Sequence, residues 1–104
     1  MILEVADIHV VADRAPAFEQ AVREGIAATI SQSKGFVNFE LRRSIETPTR
    51  YLLLIHWETL EDHTEGFRGS PAYAQWRAIV GPFFERPPSV EHFTAVPPSA
   101  PKTA

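Results

Sequence analysis

Hydrophobic and polar residues alternate in four short segments of the chain, which is the pattern of half-buried β-strands. These segments are residues 2–11, 36–46, 50–58 and 90–96. Two longer segments carry apolar residues three and four positions apart, which predicts amphipathic helices. The resulting order is strand, helix, strand, strand, helix, strand. It predicts an α+β fold of the ferredoxin-like βαββαβ type, with a four-stranded antiparallel sheet and both helices on one face.

Residues that favour helix termini indicate where the two helices begin and end. We expect Asp13 to cap the first helix, which ends near residue 35. We expect Thr59 to cap a second helical stretch, which restarts at Ser70-Pro71 and ends near residue 81.

Both faces of the predicted sheet carry apolar side chains. In the third strand Tyr51, Leu53, Ile55 and Trp57 point one way, and Leu52 and Leu54 point the other. Two helices cover only one face of a sheet, and a soluble monomer rarely exposes a large apolar patch. We therefore expect a homodimer that forms through the uncovered sheet face.

The length of 104 residues predicts one domain over residues 1–96, followed by a flexible Pro-rich tail over residues 97–104. The absence of cysteine excludes a disulfide scaffold, a thiolate metal site and a cysteine nucleophile. A net charge of −3 disfavours nucleic acid and anionic membranes as partners. The chain begins without a signal-peptide pattern, and its longest apolar run is far too short to span a membrane, so we expect a cytoplasmic protein.

Several polar or large aromatic residues fall on segments that are otherwise apolar. Asp7 and His9 share one face of the first strand, about 7 Å apart. A pocket between that face and the helices would collect Asp7, His9, Tyr51, Trp57, His63 and Arg77. Ordinary structural roles also account for these residues: the histidines are satisfied by neighbours, Asp7 is paired, and Trp57 belongs to the core. The four histidines lack helical metal-ligand spacing and no Gly-rich phosphate loop is present, so we expect neither a metal nor a cofactor.

The segment Tyr51–Glu58, followed by Leu60–His63 and Phe67–Pro71, resembles the antibiotic biosynthesis monooxygenase family of dimeric α+β barrel proteins. The resemblance covers about residues 2–96. It implies the fold above and a protein that oxidises a small aromatic substrate with O₂. Members of this family include cofactor-independent oxygenases of polyketide phenols, haem-degrading enzymes and proteins without known activity.

The resemblance assigns roles residue by residue. Trp57 matches a tryptophan shared by the polyketide oxygenases and the haem degraders, His63 stands where the polyketide oxygenases have a tyrosine, and Arg77 matches their arginine. Leu53 replaces their strand asparagine. The haem degraders' first-strand asparagine is Asp7 here and their axial histidine is Phe67, which argues against haem.

On this resemblance we expect oxidation of a phenol, quinol or polyketide-like substrate without a cofactor. His63 or Asp7 would be the base, Arg77 would stabilise negative charge and Trp57 would stack on the substrate ring. Further substrate contacts are expected from His9, Tyr51, Leu53, Phe67 and Tyr73. Two alternatives remain open: a cofactor-free isomerase or cyclase, and a non-catalytic dimeric protein that binds a small ligand.

Overall fold

A computed structural model describes residues 1–98 of the chain. Four strands and two α-helices form the framework: β1 (Ile2–His9), α1 (Ala15–Ala28), β2 (Phe36–Arg43), β3 (Arg50–Trp57), α2 (Pro71–Val80) and β4 (Ser89–Phe93). The strands form one antiparallel sheet in the order β2-β3-β1-β4. The predicted ferredoxin-like fold is therefore confirmed. Most of the predicted tail, residues 99–104, lies outside the described residues.

Short helical segments flank the two α-helices. A 3₁₀ turn follows α1 at Ile30–Gln32, a π-helix precedes α2 at Asp62–Phe67, and a second 3₁₀ turn follows α2 at Gly81–Phe83. A π-helix is rare and is found frequently at functional sites. Here it turns His63 and Phe67 inward, and both are buried.

One of the two predicted helix caps is correct. The hydroxyl of Thr59 accepts a 3.1 Å hydrogen bond from the Asp62 backbone N–H, as expected. Asp13 does not cap α1; instead it has a φ of 66°, and Arg14 occupies the capping position. The tight turn between β1 and α1 requires this left-handed conformation, which aspartate tolerates better than most residues.

The two faces of the sheet have different surroundings. The face that packs against the helices is formed on β3 by Tyr51, Leu53, Ile55 and Trp57, all at most 2% exposed. The opposite face is called the open face here, and no helix of residues 1–98 packs on it. Its side chains on β1 and β3 are Leu3, Val5, Asp7, His9, Arg50, Leu52, Leu54 and His56.

All four strands end earlier than the alternation predicts, β1 and β3 by one or two residues and β2 and β4 by three. β2 ends at Arg43, because the chain turns at once into β3, with the Ser44 N–H bonded to the Arg50 carbonyl at 2.8 Å. β4 ends at Phe93, where its pairing with β1 ends at Leu3.

Candidate functional site

A cavity of about 330 Å³ lies between the helix-facing side of the sheet and α2. Its walls are mainly aliphatic and aromatic, and five of its lining residues carry a charged or titratable group. The lining consists of Glu4, Ala6, Ile8, Ile30, Leu53, Ile55, His63, Phe67, Arg68, Tyr73, Trp76, Arg77, Phe84, Pro87, Pro88 and Val90. A mostly apolar cavity with a few polar groups at fixed positions is the usual form of a small-molecule site.

Glu4 is the buried acidic residue of this cavity, and its side chain is nearly inaccessible, at 7% exposure. It lies on β1 between Ile55 of β3 and His92 of β4, its partners in the sheet. Its Oε1 accepts a 2.9 Å hydrogen bond from the Trp57 indole N–H. Nε2 of His63 lies 3.3 Å from the same oxygen.

His63 connects Glu4 to a second histidine. Its Nδ1 lies 2.7 Å from Nε2 of His92 on β4. An ionised Glu4 is an acceptor only, so its 3.3 Å contact favours the His63 tautomer with the proton on Nε2, and in that tautomer His92 donates to Nδ1. Nδ1 of His63 is thus hydrogen-bonded, and Nε2 lies close to the Glu4 carboxylate. The indole of Trp57 stacks on the His63 ring, with centroids 5.3 Å apart and planes 19° apart.

Burial determines the ionisation of this cluster. It raises the pKa of Glu4, and the Trp57 hydrogen bond and the charge of Arg68 oppose that shift. Burial lowers the pKa of His63 to about 3, with further lowering by Arg68 and His92, so this imidazole is neutral at pH 7. Burial also lowers the pKa of His92, and Arg68 adds to that effect. Glu4 therefore faces neutral imidazoles and no cationic partner within hydrogen-bonding distance in residues 1–98.

Five of the residues predicted from the sequence line the cavity together: Leu53, His63, Phe67, Tyr73 and Arg77. The guanidinium of Arg77 lies 5.8 Å from the centroid of the Tyr73 ring, on the exposed side of α2. Phe67 and Tyr73 meet edge to face, with centroids 5.7 Å apart.

The side chains of Trp57 and Tyr51 lie on the helix-facing side of the sheet, but neither lines the cavity. Trp57 is fully buried behind His63 and does not line the cavity. Tyr51 lies at the other end of the strand, where its hydroxyl donates a 2.6 Å hydrogen bond to Glu19. The structure therefore does not bring these two residues into the cavity with the others, and their substrate contacts stay predictions.

Asp7 and His9 lie on the open face, so the prediction that they line the helix-side cavity is wrong. Successive side chains of a strand point to opposite faces, and Ala6 and Ile8 on either side of Asp7 are the ones that face the helices. Asp7 instead binds Arg50 through two hydrogen bonds of 2.9 and 2.6 Å. That contact lowers the pKa of Asp7.

Glu4 is the site residue that the sequence interpretation missed, although a signal was present. It has the same parity along β1 as Ile8 and Val10, both of which are buried against the helices. A glutamate in register with buried aliphatic residues of a strand is a candidate for a buried ionisable group. Within residues 1–98, no three acidic or histidine side chains are placed to hold a metal ion.

Comparison with known proteins assigns the chain to a family. The family model for antibiotic biosynthesis monooxygenases matches residues 1–79. The chain belongs to the antibiotic biosynthesis monooxygenase family. It is 45% identical over 96 residues to the uncharacterised protein YczJ of Bacillus subtilis (strain 168), across 92% of this chain and all of YczJ.

Solved structures of the antibiotic biosynthesis monooxygenase family have the same fold. A Bordetella bronchiseptica protein, provisionally assigned as an antibiotic biosynthesis monooxygenase, superposes with a TM-score of 0.87 at 38% identity, over 91% of this chain and 96% of that one. A mutant of SnoaB from Streptomyces nogalater, a cofactor-independent oxygenase, superposes with a TM-score of 0.77 at 18% identity, over 96% and 97% of the two chains. At 18% identity the similarity to SnoaB shows a shared fold. None of the helices in residues 1–98 is long and apolar enough to cross a bilayer.

Proposed function

We propose that this protein is a cofactor-independent monooxygenase that oxidises a small aromatic substrate, a phenol, a quinol or a polyketide-like compound, with O₂. The cavity carries the proposal: aromatic walls enclose about 330 Å³, a buried carboxylate lies at one end, and two arginines lie on its rim. This volume is within the range of sites for small molecules. SnoaB, which shares the fold, is itself described as a cofactor-independent oxygenase.

Such a reaction needs no external reductant. The ionised phenol transfers one electron to O₂, and the two radicals combine at a ring carbon that carries hydrogen. The resulting peroxide loses that hydrogen as a proton while its O–O bond breaks, which forms a quinone and water. The substrate supplies all four electrons, so the protein needs to provide only a proton acceptor, stabilisation of negative charge and a site from which bulk water is excluded.

Arg77 and Arg68 supply the positive charge in this proposal. Both line the cavity and both are exposed at its rim. A cation held near the phenolate and the developing peroxide stabilises negative charge most strongly where water is excluded. His63 is not the base in this proposal, because burial lowers its pKa to about 3 and its Nδ1 is occupied by His92.

We further propose that the protein is cytoplasmic and that it forms a homodimer through the open face. Leu3, Val5, Leu52 and Leu54 lie along the centre of that face, and Phe93 at its edge is 48% exposed. A second copy would cover this strip with the same residues, as a twofold interface requires.

Oxygen uptake with a panel of anthrones and naphthols tests the proposed function. We expect stoichiometric O₂ consumption and, with ¹⁸O₂, one labelled oxygen in the quinone. The same substrates are then offered without oxygen. Turnover under anaerobic conditions would identify an isomerase or cyclase, and saturable binding without turnover in either atmosphere would identify a ligand-binding protein. Either result would overturn the oxygenase proposal.

A further inference from the structure

The two oxygens of Glu4 have different surroundings. Oε1 receives the Trp57 indole N–H at 2.9 Å and lies 3.3 Å from His63 Nε2. Within residues 1–98, no side chain or backbone N–H donates to Oε2. Every fully buried side-chain oxygen and nitrogen in this part of the protein has a partner, so Oε2 is not sealed off and belongs to the surface of the cavity.

The donors at Oε1 hold the carboxylate in one orientation. Trp57 is fully buried on β3, and His63 is packed between Trp57 and Phe67 on the π-helix, with centroid distances of 5.3 and 6.3 Å. His92, from β4, lies 2.7 Å from the far nitrogen of His63, and as the donor there it favours the His63 tautomer whose proton is on Nε2, the nitrogen nearest Glu4. Hydrogen-bond partners of metal-binding histidines likewise fix the tautomer and the orientation of the ring.

From this geometry we propose that Glu4 is the catalytic proton carrier of the oxygenase reaction, with Trp57, His63 and His92 as its positioning residues. The inference rests on the proposed function. Oε2 takes the proton of the substrate hydroxyl, which leaves the phenolate that reacts with O₂. The same proton then passes to the peroxide oxygen. Glu4 next removes the proton from the ring carbon that carries the peroxide. The electron pair of that C–H bond forms the new carbonyl as the O–O bond breaks. The hydroxide that leaves takes the proton from Glu4 and becomes water. Glu4 ends as the carboxylate from which it began.

The charges around Glu4 suit a group that is protonated and deprotonated in each turnover. The groups that face it are neutral His63 from the π-helix, neutral His92 from β4, the Trp57 N–H from β3 and, at longer range, the Arg68 guanidinium. No cation of residues 1–98 is bound directly to it, so its proton affinity is not suppressed as that of Asp7 is by Arg50. Burial makes it a stronger proton acceptor than an exposed glutamate.

Glu4→Gln is the direct test, because the amide oxygen still accepts the bonds at Oε1 but the group no longer carries a proton. We expect kcat to fall by about 100-fold or more with KM changed by less than about threefold, the usual effect of losing a general base. Glu65→Gln, on the exposed side of the π-helix, is the matched control and should retain kcat. A Glu4→Gln variant with at least a third of the wild-type kcat would overturn the assignment.

Binding of a nitrophenol tests the proton carrier separately from the oxygenase reaction, because the nitrophenolate anion absorbs visible light and no turnover is needed. At pH 6 we expect the wild-type protein to bind the probe as its anion with no net proton release, measured by calorimetry in buffers of different ionisation enthalpy. Binding of the probe anion to Glu4→Gln should release about one proton, or this variant should bind the probe as the neutral phenol. Equal proton release by both proteins, or neutral probe in both, would overturn the role of Glu4. If the wild-type protein consumes no oxygen but both proteins give the expected proton balance with the probe, the oxygenase function is overturned and the role of Glu4 as a proton carrier is kept.

The positioning roles have a spectroscopic signature. In long-range ¹⁵N–¹H spectra of the full chain, His63 should be the neutral Nε2–H tautomer at pH 7. His92→Phe removes the donor to Nδ1, so we expect a mixture of His63 tautomers and a shifted pH profile of kcat. An unchanged His63 tautomer and profile in this variant would show that His92 is merely structural.

Discussion

The indole nitrogen of Trp57 lies 2.9 Å from Oε1 of Glu4, and both side chains are buried. This contact joins the end of β3 to β1 beside the cavity, and it gives the tryptophan a role in holding a carboxylate. A buried carboxylate that loses a donor bears the full penalty of desolvation.

Trp57→Phe therefore removes a donor from a buried acceptor. We expect a loss of about 1–3 kcal/mol in the free energy of unfolding, measured by urea denaturation at pH 7. In a Glu4→Leu background the same change should cost markedly less, because no acceptor is left to satisfy. Equal costs in the two backgrounds would show that the hydrogen bond contributes little and that only packing is lost.

Stability should fall on acidification because of His63. Its pKa is about 3 in the folded protein and near 6.5 in the unfolded chain, so between these values the unfolded chain holds a proton that the folded protein lacks. The free energy of unfolding then decreases as the pH falls from 6.5 towards 3, by up to about 1.4 kcal/mol per pH unit.

Glu4 opposes this effect, since its raised pKa favours the folded state as the pH falls. Urea denaturation of wild type and His63→Gln across pH 4.5–7 isolates the histidine contribution. Relative to His63→Gln, the wild-type protein should lose up to about 2 kcal/mol between pH 6.5 and 5. Gln75→Ala, an exposed and non-titrating site on α2, should retain the wild-type slope. Parallel curves for wild type and His63→Gln would contradict the neutral, buried state of His63.

If the open face is the homodimer interface, a charge placed on it should prevent the homodimer from forming. Leu54→Asp places a carboxylate in the centre of the apolar strip, so we expect sedimentation analysis to show a monomer where the wild-type protein is a dimer. Ile45→Asp is the matched control, because this residue is 89% exposed in the β2–β3 turn, away from the strip. A wild-type monomer, or a dimeric Leu54→Asp variant, would refute the proposed interface.

Gly25 allows α1 and α2 to approach closely. A Cβ at this position would lie 2.8 Å from a ring carbon of Trp76, which is too close for normal packing. We expect Gly25→Ala to destabilise the protein by about 1–3 kcal/mol and to displace Trp76 in the cavity wall. The midpoint of thermal unfolding and the Trp76 fluorescence would report both effects.

Gly81→Ala supplies the comparison for that experiment. Among residues 1–98, a Cβ at Gly81 would have no neighbour within 4 Å, and Gly81 has an α-helical φ of −56°. We expect this change to be neutral or to stabilise the protein by up to about 1 kcal/mol, because alanine restricts the unfolded chain. A Gly25→Ala variant as stable as Gly81→Ala would show that Trp76 moves aside without cost.

Local periodicity in the sequence determined the order of the elements, the fold and the apolar character of both sheet faces. The family resemblance came from the segment around Trp57, His63 and Phe67, and the family model matches that region. These features depend on residues close together in the chain, where alternation and helical spacing are directly visible.

Only the tertiary structure decided which side of β1 faces the helices. Alternation placed Glu4 with Ile8 and separated both from Asp7, but apolar residues on each side left the choice of face open. The packing of α1 and α2 buried Glu4 and left Asp7 on the open face. The contact between His63 and His92 joins residues 29 positions apart and depends on the π-helix and on the register of β1 with β4. Strand register and the direction of an irregular helix follow from long-range packing, so local sequence patterns do not specify them.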